Sequence, residues 1–175
     1  MSVGAEETTR PASAWARWAA VGVVLVVIPS TLWRIPVAFG LGMGLNREYF
    51  QSMSIPGLGT LYVLGLSLAT ALGAFLTVGL VRPWGEVLPR WIPRVGGHPV
   101  RPRLVALCAL LGAVIVTAIS VQVVLSWPAI MSYKGGPAAG WSTLMTAAYA
   151  PAILWGPLLG IVTVDYVRRH PRHAR

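Results

Sequence analysis

Charge is what this sequence has least of. Only 11% of its 175 residues are charged, and the acids number five: Glu6, Glu7, Glu48, Glu86 and Asp165. A soluble domain carries about 25% charged residues. Here the deficit is concentrated in four apolar runs of spanning length, which excludes an ordinary soluble fold. Cysteine is almost absent as well. The single Cys108 excludes an internal disulfide, a two-cysteine redox centre and a thiolate metal cage, and it reads as a small apolar residue. None of the three histidines, His98, His170 and His173, lies in an apolar run, which excludes a haem held between helices. Pro171 separates His170 from His173 and no carboxylate or thiol accompanies them, so no metal site is expected. No acid occupies the middle of a run, which argues against a proton-coupled carrier. Asp165, near the end of the fourth run, is expected to pair with Arg168 or Arg169. The serines and threonines have no His or Lys at comparable depth to activate them. The glycine series Gly40–Gly44 lacks phosphate-cradle spacing and follows no strand, so no cofactor is expected.

What the chain does carry is apolar length and arginine. The runs cover about 15–33, 57–81, 104–127 and 141–167. The first, nineteen residues, is about 28 Å of helix, close to the ~30 Å hydrocarbon thickness. Trp15, Trp18 and Trp33 stand where an aromatic belt belongs. That run is followed by Trp33-Arg34-Ile35-Pro36 and not by a small-residue cleavage site, so a retained helix is expected. In the second run Gly65, Ala69, Gly73 and Thr77 share a face, as do Ala109, Ala113 and Thr117 in the third. Small faces let helices approach closely in lipid, either within one molecule or at a homodimer seam. The fourth run holds Pro151 and Pro157 and should be the least regular. Residues 1–13 read as a disordered lead and 168–175 as a basic tail.

Orientation follows from the basic residues. Of fourteen, eleven fall in the amino-terminal segment, the 82–103 connection and the tail, leaving Arg34, Arg47 and Lys134 on the other side. The Lys/Arg excess marks the cytoplasmic face. The expectation is therefore an all-α integral membrane four-helix bundle of the plasma membrane (a bacterial inner membrane), with both termini cytoplasmic. The net charge of +9 flanks apolar runs, so its acidic partner should be anionic lipid headgroups of the bilayer and not nucleic acid.

The 82–103 segment carries five arginines, two tryptophans and five prolines. Trp84 and Trp91 at headgroup depth, with Arg90, Arg94, Arg101 and Arg103, make either a topology signal with aromatic anchors or a docking surface for lipid or a protein partner. The words Arg82-Pro-Trp-Gly-Glu86, Pro89-Arg-Trp-Ile-Pro93 and Gly96-Gly97, set between the second and third of four spans, resemble a group of uncharacterised small membrane proteins of actinobacteria. That resemblance implies the topology and brings no activity with it.

All four runs also place polar groups at one level in the half away from the termini. Arg34, Tyr62, Gln122, Thr146 and Tyr149, with Glu48 as the lone acid on that side, form a candidate outward-facing polar pocket. Ordinary interhelical hydrogen bonding would use the same groups. Two function classes follow: a non-enzymatic accessory or interaction subunit, with a membrane-protein partner or a second copy, and alternatively a small oligomeric transporter or ligand-binding protein built on Arg34.

Overall fold

The computed structural model describes residues 11–82, 102–133, 136–138 and 140–170. Trp84, Arg90, Trp91, Arg94 and Arg101 of the basic connection, Lys134 and most of the lead and tail lie outside the described residues. Helices are α1 (Ala14–Ala38), α2 (Arg47–Ser52), α3 (Leu58–Gly79), α4 (Pro102–Ser132), α5 (Trp141–Tyr149) and α6 (Trp155–Arg169). Four stretches are long and apolar enough to cross a membrane: α1, α3, α4 and the α5–α6 unit.

Local chemistry accounts for the ends. Ser13 caps α1 by accepting from the Ala16 amide at 3.3 Å, and Asn46 does the same for α2 through the Tyr49 amide at 3.0 Å. The helix α1 runs through Pro29 and Pro36 to Ala38, five residues beyond Trp33, the expected end of its run. Trp33 is consequently not a lipid-facing belt residue. It is buried and meets Trp141 edge-on at 6.0 Å, while Trp15 and Trp18 stay exposed. Likewise α4 passes through Pro128 to Ser132. The fourth run is interrupted, as its prolines demand: Pro151 lacks the amide an α-helix needs, and residues Ala150–Leu154 wind as a 3-10 turn between α5 and α6.

The helices neighbour one another in the order α3, α1, α6, α4. Ser13 of α1 bonds Asp165 of α6, so both ends of the described chain lie at one end of the assembly, here the termini end; the opposite end is the loop end. At the termini end Ala20, Ala113, Leu159, Val162 and Tyr166 pack together, joined by Leu80 just past α3. A middle layer holds Val23, Val27 and Ala74 with Trp155. At the loop end α2 folds over α1 and α3, placing Phe50, Met53 and Ile55 on Ala38 and Val63.

Close approaches use the small residues unevenly. A side chain on Gly156 would strike Thr117, whose Cα is 3.0 Å from that position, so Gly156 brings α6 against α4. On α3 the buried face is Val63, Ser67, Thr70, Ala74 and Thr77. Of the expected small face, Gly73 abuts Trp155 while Gly65 meets nothing.

Candidate functional site

A polar layer lies between the middle and loop-end apolar layers, and Arg34 is its centre. Side chains on a helix lean toward its amino terminus, so the Arg34 guanidinium is carried away from the loop end and into the assembly. Its Nη2 donates to Ser30 Oγ at 3.2 Å and its Nη1 to Thr70 Oγ1 at 3.2 Å. Both hydroxyls spend their own protons on backbone carbonyls, Ser30 on Val27 and Thr70 on Leu66, leaving lone pairs for the cation. Thr70 is twelve residues into α3, about 18 Å along the helix. The guanidinium carbon also lies 5.7 Å from the centroid of the Tyr149 ring, within cation–π range. The Nε is buried and has no hydrogen-bond partner.

Tyr149 touches Trp127 of α4 as well, ring centroids 5.8 Å apart, and so joins α1, α5 and α4 at this level. From the connecting helix α2, Tyr49 approaches it. Burial pushes the Tyr49 phenol above its ordinary value of 10.0, and Tyr149 adds to the rise.

The other expected pocket residues are placed elsewhere. Glu48 is exposed and, among the described residues, forms no ion pair. Tyr62 points outward, 64% exposed. Gln122 is exposed and bonds Ser126 on its own helix at 3.3 Å. Thr146 donates to the Ser142 carbonyl at 2.8 Å and accepts from Trp127 Nε1 at 3.2 Å. It lines an open groove of about 600 Å³ with Met131, Pro137 and Thr143. Of the six residues, Arg34 and Tyr149 come together. Thr70 belongs with them although its depth in the run gave no hint; the signal was the lean of a long side chain, which brings an arginine one turn deeper than its Cα. From the basic docking set Arg103 is described, exposed in the first turn of α4.

A second polar node closes the termini end. Arg169 Nε and Asp165 Oδ2 form an ion pair at 2.8 Å, with side chains 8% and 6% exposed. Ser13 donates to Asp165 Oδ1 at 2.6 Å, and Arg169 Nη2 donates to the Leu80 carbonyl at 2.6 Å. The node thus ties the start of α1, the end of α3 and the end of α6. His170 stacks on Tyr166 at 4.4 Å.

The two nodes differ in one respect that matters chemically. The termini-end cation is neutralised by a carboxylate, whereas the cation of the loop-end half has hydroxyls and an aromatic face but, among the described residues, no acid. Four helical stretches long and apolar enough to cross a membrane are, by length and composition, the pattern of a multi-pass membrane protein. No protein-family model, curated protein or solved structure matches the chain.

Proposed function

We propose that this chain is a non-enzymatic multi-pass protein of the plasma membrane, with both termini cytoplasmic, that holds an anionic group at Arg34 in its outer half. One observation supports the reading: a guanidinium drawn inward between helices, with a buried Nε that lacks an acceptor and, among the described residues, no carboxylate beside it. A charge in a low-dielectric setting is costly unless paired, and ionisable groups inside membranes mark binding sites and pathways. A phosphate or carboxylate would supply both the missing acceptor and the missing charge. The bias of arginine toward the termini supports the orientation. The same bias makes anionic headgroups of the inner leaflet the proposed partner of the basic residues on that side, Arg103 among them.

The test is heat unfolding in neutral detergent, titrated with short-chain phosphatidylglycerol, phosphatidylcholine or inorganic phosphate. Ligand at a hundredfold over its Kd stabilises by about 2.7 kcal/mol. Phosphatidylglycerol should raise the Tm of the wild type by more than that of Arg34→Gln, which keeps only the contribution of the basic termini end, with phosphatidylcholine inert. Protection by phosphate as well identifies the anion itself as sufficient. Equal shifts in wild type and Arg34→Gln, or no shift with any anion, would refute the site.

The accessory-subunit reading has its own support. Only Ala113 of the 31 residues of α4 is buried, so the face of this helix turned away from α6 is, among the described residues, open to lipid or to another protein.

A further inference from the structure

The face of α4 turned away from α6 carries a seam whose chemistry names its occupant. Ala113 is buried and Ala106 and Ala109 pack against the termini-end core, which fixes the face of α4 used within the molecule. On the opposite face, spacing alternates between four and three residues over Leu104–Leu125, the heptad period of a coiled-coil seam. Leu104, Leu111, Ala118 and Leu125 occupy one of its two positions and Cys108, Ile115 and Gln122 the other. All seven are exposed.

Apolar periodicity decides nothing in a helix bathed by lipid, because almost every position is apolar. Gln122 decides it. Its residue lies ten positions before the end of α4, about 15 Å along the helix, and five before Trp127, whose indole bonds Thr146. That depth is hydrocarbon. A carboxamide offers two N–H donors and an oxygen with two lone pairs, and Gln122 uses one N–H, on Ser126 at 3.3 Å. Lipid tails offer no partner for the rest.

The missing partner must donate and accept at the same depth, on a helix running the same way, with an apolar surface of the same period. A second copy of this chain meets each condition without further assumption. Rotation about an axis normal to the membrane sets every α4 residue against its own counterpart, and a carboxamide complements itself through reciprocal N–H···O bonds. A single polar residue in an apolar seam also fixes register and favours a defined oligomer.

We propose that two copies associate in parallel through α4, with Gln122 bonded to Gln122 of the second copy and Cys108 facing Cys108. This proposal is independent of the Arg34 reading. It would make the chain's lone cysteine a built-in reporter of the interface.

The test is oxidative cross-linking of the full-length protein in membranes with copper–phenanthroline, which joins two facing thiols by removing two electrons and two protons. Wild type should give a disulfide-linked dimer, and Cys108→Ser none. In the Cys108→Ser background, cysteine at Leu111 or Ile115 should restore the dimer, and cysteine at Ala109 or Ala113 should not. Gln122→Leu should weaken association by about 3- to 30-fold in a lipid-dilution series, and Gln122→Asn should keep more of it than Gln122→Leu. A wild type that stays monomeric while cysteines at 111 and 115 also fail would overturn the seam. So would cross-linking that is equal on both faces, or α4 cross-links exclusively to a different polypeptide.

Discussion

Asp165→Asn removes one charge from a node that three helices share, and the structure says what each partner loses. Arg169 keeps, among its contacts, the Leu80 carbonyl and the Tyr166 ring, 5.7 Å from its guanidinium carbon. Ser13 keeps an oxygen to donate to. An NH2 then replaces the oxygen that faced Arg169 Nε, so the charge and one hydrogen bond are lost together. Breaking a buried ion pair by neutralising one partner costs about 3–5 kcal/mol. Side chains 8% and 6% exposed place this pair in that class, and the contacts that Arg169 retains put the expected loss near the low end, about 3 kcal/mol. Adding Arg169→Gln should recover part of it, because the cation that Asp165 neutralised is then gone; the double variant should be less destabilised than the sum of the singles. Equilibrium unfolding of detergent-solubilised protein measures all four species. An Asp165→Asn protein as stable as wild type, or strictly additive singles, would show that the ion pair does not tie α1, α3 and α6 together.

Other consequences are as direct. Gly156→Ala forces a methyl onto Thr117 and should cost about 1–3 kcal/mol in the same unfolding assay, whereas Gly65→Ala, with open space around it, should be neutral. Burial raises the Tyr49 phenol, so its contribution to stability is complete below pH 10 and is lost as pH climbs through the raised value; phenolate absorbance should show a late-titrating tyrosine that Tyr49→Phe removes. Reporter fusions at residues 45–56 and after Gly136 should read as exported, and fusions within 82–103 or after His170 as cytoplasmic. An inverted pattern would reverse the orientation.

The class of fold was legible because four long charge-poor runs admit few alternatives, and the pairing of Asp165 with Arg168 or Arg169, just past the fourth run, followed from helical spacing; the structure selects Arg169. The irregular fourth span was legible for a similar reason: Pro151 cannot donate within an α-helix. Neighbour relations were not. The small stripe of α3 suggested a face through Gly65, Ala69, Gly73 and Thr77; Thr77 is buried, but Gly65 and Ala69 are exposed, and Ser67 and Thr70 share the buried face because these hydroxyls each return to a carbonyl four residues back. The pocket residues were grouped by depth, and depth says nothing about azimuth: Tyr62 and Gln122 are exposed and point away from the polar layer, Tyr62 from about two turns nearer the loop end than Thr70. Trp33 illustrates the same limit, since an aromatic at a run's edge fits an interfacial belt equally well as an interhelical wedge.

Arg34 bears the functional weight of this account, and native mass spectrometry of the purified, delipidated protein after addition of equal amounts of phosphatidylglycerol and phosphatidylcholine tests it most directly. The basic residues of the termini end are common to wild type and variant, so their lipid contacts cancel in the comparison. The account predicts that wild type retains additional phosphatidylglycerol that Arg34→Gln loses, with phosphatidylcholine adducts equal in both. Identical phosphatidylglycerol distributions in the two proteins would contradict it.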